Sequence, residues 1–321
     1  AEKFNLTTHL KELTKGDSAK ISSCDIADVS GFHASFSMND RTRSFLKVQD
    51  GCDYTCAFCT IPMARGKSRS NTISNVIQNA NELAQNGVKE IVLTGVNLGD
   101  FRAGTDSAGK GENFYELIRA LDDVEGIERF RISSIEPNLL TESIIEFVAG
   151  SKKFMPHFHI PLQSGSNEIL GAMRRRYRKE LYAERVKAIK ALMPHCCIGA
   201  DVIVGFPSES EGHFKETFDF LHSLEVSYLH VFTYSERDGT KALEIKPVVP
   251  LPVRHERNKA LRNLSYMKMQ HFTEGHRGQS RKVLFEGFEK DGMMEGYTDN
   301  YIRIATPYRA EWANEIMEWK M

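Results

Sequence analysis

The sequence predicts an α/β fold, in which an incomplete, TIM-like (β/α)6 barrel is followed by a small C-terminal β module. Between residues 45 and 242, short apolar runs alternate with stretches of helical periodicity, which is the pattern of consecutive βα units with parallel strands. The alternation then stops at Pro247, Pro250 and Pro252, and alternating runs separated by turn residues follow. The change of pattern divides the chain into a large barrel and a smaller unit.

Six apolar runs are predicted as the barrel strands, at residues 45–49, 91–94, 130–133, 157–160, 197–204 and 228–232. Helical periodicity follows the first run over residues 73–84, where Gly87 is placed to end the helix, and it recurs at 114–121 and 180–192. In the fifth unit, Ser208 and Glu211 have the spacing of a capping box just before a helical run. Strands and helices therefore alternate as βα units require.

The C-terminal region is predicted to begin with a helix over about 254–272. Runs at 281–288 and 297–305 then alternate like strands around turns at Asp291-Gly292 and Asp299-Asn300, and 312–321 is predicted as helix or tail. These patterns divide the chain into a linker at 1–40, a barrel at 41–246, a connecting helix at 247–275 and a β module at 276–321.

Composition excludes several classes of protein. The chain has 321 residues, with 42 Lys and Arg against 43 Asp and Glu, so any contact with nucleic acid must come from local basic clusters. Its 41% hydrophobic and 26% charged residues argue against disorder and fibrous repeats. No apolar run approaches the roughly 18 residues of a membrane-spanning helix. We therefore predict a cytoplasmic protein that does not contact a membrane.

The cysteines are clumped, which is unlike the spread of a disulfide framework. Cys52, Cys56 and Cys59 have the spacing C-x3-C-x2-C, so one short loop can direct three thiolates to one point. Three thiolates on a four-iron cubane leave one iron open to another ligand, whereas closed structural sites use four protein ligands. The alternatives are a zinc knuckle with a distant histidine as fourth ligand, or unligated thiols.

This cysteine loop, placed after the first strand of a βα barrel, resembles the radical S-adenosylmethionine (SAM) superfamily. The resemblance implies a [4Fe–4S] cluster whose free iron is chelated by the methionine moiety of SAM. It also implies catalysis by a 5'-deoxyadenosyl radical, which abstracts hydrogen from an unactivated carbon. The three cysteines are then both the cluster ligands and the catalytic centre.

Longer stretches resemble the methylthiotransferases of that superfamily, over almost the whole chain. They are LKVQDGCDYTCAFCTIPMARGKSRS at 46–70, HIPLQSGS at 159–166, MRRRY at 173–177 and DVIVGFP at 201–207. Within the family, LTGV at 93–96 and RISSIEP at 131–137 are similar to the branch that acts on threonylcarbamoyladenosine in tRNA. The isopentenyladenosine branch and the ribosomal-protein branch differ at these two stretches.

Full-length methylthiotransferases carry an N-terminal domain with three further cysteines and a second [4Fe–4S] cluster. The resemblance therefore makes residues 1–40 the linker remnant of a missing domain, and the second cluster is expected only in that domain. Cys24 lies in the linker. Cys196 and Cys197 are neighbours on a predicted buried strand and point to opposite faces, so we interpret them as small apolar fillers.

Candidate cofactor-binding residues follow the ends of the predicted strands, where barrel enzymes place their active sites. Alternatives stay open for several of them: Phe58 as loop packing, Gly95 as a turn glycine, and Phe232 as core. Asp201 interrupts an apolar run, so it needs a donor, either a SAM hydroxyl or an arginine. Gln163 is preferred over His159 at the end of the fourth strand. The candidates for binding SAM are Phe58, Thr94, Gly95, Ser133, Glu136, Gln163, Asp201 and Phe232.

Two segments, 174–190 and 251–283, each carry a local charge of +6 and are candidates for tracking phosphates. The C-terminal module resembles the TRAM domain, a small β-barrel that engages tRNA, although it is short of its usual final strands. Phe285, Phe288, Tyr297 and Tyr301 are its candidate stacking aromatics. The candidate tRNA-binding residues are Arg65, Arg174, Arg175, Arg176, Arg277, Arg281 and Lys282.

These observations predict a radical SAM methylthiotransferase that replaces the C2 hydrogen of threonylcarbamoyladenosine beside the tRNA anticodon with a methylthio group. The expected partners are the tRNA anticodon stem-loop and a small electron-donor protein, and the expected state is a monomer. A methylthiotransferase for isopentenyladenosine or for a ribosomal protein is the nearest alternative. A non-catalytic module that binds zinc and RNA is the alternative from a different class.

Overall fold

The computed structural model describes residues 21, 24–29, 31–37, 42–103 and 111–321, so the predicted linker at 1–40 lies mostly outside the described residues. The strands, in chain order, are β1 (Ser35–Phe36), β2 (Arg43–Lys47), β3 (Gln49–Asp50), β4 (Arg69–Ser70), β5 (Glu90–Thr94), β6 (Arg102–Ala103), β7 (Glu112–Asn113), β8 (Arg129–Ser133), β9 (Phe154–Gln163), β10 (Cys197–Val204), β11 (Tyr228–Thr233), β12 (Ser280–Lys290), β13 (Met293–Thr298), β14 (Arg303–Pro307) and β15 (Ile316–Lys320). The helices are α1 (Ile61–Arg65), α2 (Ile73–Gln85), α3 (Phe114–Asp122), α4 (Glu142–Gly150), α5 (Asn167–Ala172), α6 (Lys179–Leu192), α7 (Glu211–Ser223) and α8 (Leu251–Glu274).

The large sheet has the strand order β1-β2-β5-β8-β9-β10-β11. Six strands of this sheet, β2, β5, β8, β9, β10 and β11, are all parallel. The seventh strand, β1, pairs antiparallel with β2 at one edge. The predicted succession of six parallel strands is therefore confirmed. Since β11 and β1 are the two edges of the sheet, the barrel is open on one side.

Helix boundaries follow local capping chemistry. Thr72 caps α2 by accepting from the Asn75 amide, and Gly87 follows the helix with φ +78°, a conformation that glycine adopts without strain. The predicted capping box of the fifth unit is wrong by two residues. The box joins Ser210 and His213, because the helix begins at Glu211 and a cap must stand immediately before it.

The long helix α8 covers the open edge of β11. Ser265 Oγ accepts from the Leu229 amide at 2.8 Å and donates to the Leu229 carbonyl at 3.0 Å, and Asn258 donates to the Val231 carbonyl at 3.2 Å. These side chains satisfy backbone groups that an uncovered edge strand exposes. Leu261 packs into the same apolar core as the sheet and fixes the helix in place.

The C-terminal module is a four-stranded antiparallel sheet in the order β14-β13-β12-β15. Asp291 and Gly292 join β12 to β13 and both have positive φ, as the predicted tight hairpin turn requires. The prediction of a helix or tail at 312–321 is wrong. Residues 316–320 form β15, which completes the sheet beside β12, and Trp319 packs on Phe285 in the module's core.

The module packs against the N-terminal ends of the barrel strands. Arg131, at 1% exposure of its side chain, forms an ion pair with Glu90 and donates to the carbonyls of Thr298 and Asp299. Tyr301 stacks on His157 with ring centroids 4.0 Å apart. The Tyr301 ring also stacks on Tyr297, with the centroids 4.9 Å apart. The structure therefore places both predicted RNA-stacking tyrosines in this contact. Of the four candidate aromatics, Phe285 is buried and Phe288 is largely exposed.

No helix within the described residues is both long enough and apolar enough to cross a bilayer.

Candidate functional site

The cysteine loop lies at the opposite end of the barrel from the C-terminal module, between β3 and α1. Gly51 opens the loop with φ +70°, and a Cβ at this position would lie 2.0 Å from the Lys67 carbonyl oxygen. The middle of the loop is tied to the barrel on two sides: the Ala57 amide donates to the Met173 carbonyl at 3.0 Å, and the Ala57 carbonyl accepts from Ala242 at 2.8 Å. These contacts hold the loop in one conformation.

The three thiols are partly buried, and each accepts one hydrogen bond. Cys52 Sγ accepts from the Tyr54 amide and Cys59 Sγ from the Ile61 amide, both at 3.4 Å, while Cys56 Sγ accepts from Arg175 at 3.1 Å. Burial raises the pKa of Cys52 to about 11. The pKa of Cys56 is also raised, because burial outweighs the opposing effect of Arg175. Ligation of metal therefore releases protons from Cys52 and Cys56.

The spacing of the thiols fits a cluster better than a single ion. Among the described residues, the group of metal-ligating side chains with atoms within 4.8 Å of one another is His159, Asp201 and His230, and the three cysteines do not form such a group. Thiolates around one zinc ion converge to about 2.3 Å from the metal, whereas a four-iron cubane is larger and holds its ligands further apart. The donor set thus favours an iron–sulfur cluster over a zinc knuckle.

Arg175 points into the barrel and away from the surface that was predicted for it. Its side chain is 5% exposed; the guanidinium forms an ion pair with Glu136 and also donates to Cys56 Sγ and to the Tyr177 hydroxyl. Burial in the barrel requires such partners, because an unpaired buried charge is costly. Arg175 is therefore a candidate cofactor-site residue, and its predicted role in binding tRNA is corrected. Arg174 and Arg176 on either side of it are exposed.

Most other candidates lie at the C-terminal ends of the barrel strands, as predicted. Thr94 ends β5, Ser133 ends β8 and Gln163 ends β9. Gly95 follows Thr94, and a Cβ there would lie 3.0 Å from the Gln49 side chain. Phe232, near the end of β11, is 53% exposed, so the alternative that it is a core residue is wrong.

Phe58 lies within the cysteine loop and packs edge-on against Phe206, with the ring centroids 6.3 Å apart. It belongs to a small apolar cluster with Tyr234 and Ala242. This contact supports the loop-packing interpretation of Phe58.

The donors to Asp201 are two histidines rather than an arginine. Asp201 Oδ1 lies 2.7 Å from His159 Nε2 and 3.3 Å from His230 Nδ1. Burial opposes ionisation of Asp201, but the hydrogen bonds from both histidines outweigh it and lower its pKa to about 2. His230 is not among the residues predicted from the sequence. Alternation along β11 places it on the same face as Tyr228, and it pairs in register with Asp201 on β10.

The predicted basic surface is smaller than the charge count implies. Arg281 pairs with Asp299, and Arg65 pairs with Asp50 while staying about half exposed. Within the second basic segment, Arg254 and Arg257 are buried and paired with Glu236 and Glu209 respectively. The predicted tRNA-binding residues that stay exposed and form no ion pair with a described residue are Arg174, Arg176, Arg277 and Lys282.

An open parallel barrel with a three-cysteine loop at its C-terminal mouth defines a protein of the radical SAM type. The sequence accordingly matches the radical SAM superfamily over residues 46–221. Among solved structures, the chain is similar in fold to the radical S-adenosylmethionine methyltransferase TsrM from Kitasatospora setae. The TM-score is 0.51 at 14% identity, over 62% of this chain and 38% of that one.

Closer relatives are found by sequence. The chain is 40% identical over 287 residues to the threonylcarbamoyladenosine tRNA methylthiotransferase MtaB of Bacillus subtilis (strain 168), covering 88% of this chain and 63% of the relative. It is 36% identical over 311 residues to the MtaB of Rickettsia prowazekii (strain Madrid E), covering 95% and 72%. The chain belongs to the radical SAM superfamily and, within it, to the family of threonylcarbamoyladenosine tRNA methylthiotransferases. It therefore takes a [4Fe–4S] cluster and SAM as cofactors. It spans a little over three fifths of the length of the first relatives.

Proposed function

We propose that this chain is the radical-generating part of a tRNA methylthiotransferase that places a methylthio group at C2 of threonylcarbamoyladenosine beside the anticodon. The observation that carries the proposal is the mouth of the barrel, where three partly buried thiols adjoin the Arg175–Glu136 ion pair in a chain with MtaB relatives. When bound, the cluster and SAM supply a 5'-deoxyadenosyl radical.

In this proposal, the residues of the chain hold and orient the cofactors. Cys52, Cys56 and Cys59 ligate the cluster. Arg175 orients Cys56 by donating to its sulfur, and Glu136 in turn fixes the guanidinium. The strand-end residues Thr94, Gly95, Ser133 and Gln163, with Asp201 inside β10 and Phe232 at the open side, surround SAM, while Phe58 supports the loop by packing on Phe206. Strand ends and a tied loop around the site suit a reaction whose groups must be aligned.

The remaining predictions complete the proposal. The partners are the tRNA anticodon stem-loop and a small electron-donor protein, and the chain acts as a monomer. The C-terminal sheet is a TRAM-like module that binds tRNA through its outer surface, since its inner tyrosines contact the barrel. The domains are then the barrel at 41–246, the connecting helix at 247–275 and the module at 276–321.

Mass spectrometry of tRNA nucleosides from a strain lacking the gene tests this function. We expect loss of the methylthio form of threonylcarbamoyladenosine, accumulation of the unmodified form, and recovery with the wild-type gene but not with Cys56→Ala. Methylthiolation of dimethylallyladenosine is not favoured, because the chain is 40% and 43% identical to two MtaB relatives but 36% identical to the Clostridium tetani tRNA-2-methylthio-N(6)-dimethylallyladenosine synthase. Loss of the methylthio form of dimethylallyladenosine instead would overturn the proposed substrate.

A further inference from the structure

Four of the basic residues of helix α8 form two sets with different surroundings. Arg254 and Arg257, in its first two turns, are buried and neutralised by Glu236 and Glu209. Lys259 and Arg262 are exposed and form no ion pair with any described residue. The first set anchors the helix to the barrel, so the second set has no structural task that explains its charge.

The unpaired cations border a groove of about 530 Å³, which we call the α8 groove. Its lining residues on the helix are polar, cationic or aromatic, and none is acidic: they are His255, Asn258, Lys259, Arg262, Asn263 and Tyr266. A concave surface of one charge sign concentrates the positive potential and attracts anions. The volume is in the range of sites for small-molecule ligands.

The groove leads to the mouth of the barrel. It ends at Thr233, the last residue of β11, next to the exposed ring of Phe232. Asn258 and Ser265 bond the helix to the edge of β11, so the position of the groove relative to the strand is fixed. The C-terminal end of β11 belongs to the same sheet edge as the ends of β5, β8, β9 and β10, where the candidate cofactor residues lie.

We propose that the α8 groove binds the sugar–phosphate backbone of the substrate RNA beside the nucleotide that enters the barrel. Lys259 and Arg262 supply charge for phosphates, and the asparagine amides can reach phosphate oxygens or ribose hydroxyls. Tyr266, at 65% exposure, offers a ring on which an unpaired base can stack. This inference rests on the proposed function, because that function supplies the RNA.

The test is a salt series of binding to an anticodon stem-loop RNA that carries threonylcarbamoyladenosine. The full chain, loaded with its cluster, is compared with Lys259→Gln/Arg262→Gln. The control variant is Arg119→Gln/Lys152→Gln, which removes the same charge from two exposed positions on the barrel that lie outside both basic segments. We expect the dissociation constant of the α8 variant to rise about tenfold near 0.1 M salt. The logarithm of the association constant falls linearly with the logarithm of the salt concentration. The magnitude of that slope should decrease by about 1.5, as the loss of two phosphate contacts requires.

Two further measurements separate the possible outcomes. Tyr266→Ala should weaken binding without changing the salt slope, because stacking releases no counterions. SAM cleavage without RNA should be unchanged in all variants. Equal affinity and slope in the α8 variant and the wild type would overturn the groove proposal and leave the proposed function standing. Failure of the wild-type chain to bind the stem-loop would overturn both.

Discussion

The two ends of the barrel are both rich in charged and polar side chains, but they use them differently. We call the N-terminal end of the barrel, which packs on the C-terminal module, the floor. At the floor, Glu90, Arg129 and Arg131 are buried, and the arginines donate to Glu90 or to backbone carbonyls of the module. At the mouth, the thiols are only partly buried, and so is the Asp201–histidine cluster in the barrel interior between the two ends. The charged groups of the floor therefore already have partners within the protein, whereas the thiol groups at the mouth remain available to bind a ligand.

The comparison shows how to separate structural charge from functional charge in one barrel. A buried ion pair whose donors and acceptors are all satisfied within the chain is explained by docking of the module. Cysteines that each accept a single weak hydrogen bond, together with a carboxylate shared by two histidines, are not explained by packing alone. Mutations at the two ends should therefore change different properties.

The largest effect is expected at the mouth, from loss of a cluster ligand. Cys56→Ala should abolish both bound iron and reductive SAM cleavage, because two thiolates cannot hold the cubane. Iron and sulfide analysis after anaerobic reconstitution measures this, with Cys197→Ala as the matched control, since Cys197 is fully buried away from the loop. Full iron content in Cys56→Ala would show that the loop is not the cluster site.

At the floor, Glu90→Gln should lower the free energy of unfolding by about 3–5 kcal/mol, because it leaves buried arginines without their counter-charge. Urea denaturation measures this loss. The same variant, where folded, should keep its iron and cleave SAM at the wild-type rate. A variant of normal stability that has lost its iron would contradict the division between floor and mouth.

The Asp201 cluster predicts a pH-dependent effect of intermediate size. The folded pKa of Asp201, about 2, lies below its unfolded value, so its stabilisation is present above pH 4 and is lost as the pH falls through 2. Asp201→Asn should therefore cost about 2 kcal/mol at pH 7, and the difference from the wild type should shrink towards pH 2. Urea unfolding of the metal-free chain at several pH values measures it; a difference independent of pH would refute the assignment.

The smallest effect is expected from Arg175→Lys at the mouth. Lysine keeps the charge, but it lacks the planar guanidinium group with which arginine donates to Glu136 and Cys56 at the same time. We expect SAM cleavage to slow about tenfold at normal iron content and nearly normal stability. Arg176→Lys, on the exposed neighbour, is the control and should leave both quantities unchanged. A stability loss as large as that of Glu90→Gln would place Arg175 with the structural charges.

Much of the fold followed from local signals. The parallel strands, the cysteine loop at the mouth, the Asp291-Gly292 hairpin and the end of α2 at Gly87 were all predicted, because periodicity and turn chemistry depend on residues close together in sequence. The errors also have local causes. The capping box was assigned two residues early, and β15 was missed because an edge strand of a small sheet carries a weak pattern.

The sequence by itself determined the barrel order, the three thiols and the family that their motifs indicate. Only the tertiary structure decided which charges are free. Arg131 and the carbonyl of Asp299 that it bonds are 168 residues apart, and Arg175 is 119 residues from the sulfur to which it donates. Periodicity indicates which face of an element a side chain occupies, but whether an arginine there is paired or exposed depends on distant chain segments.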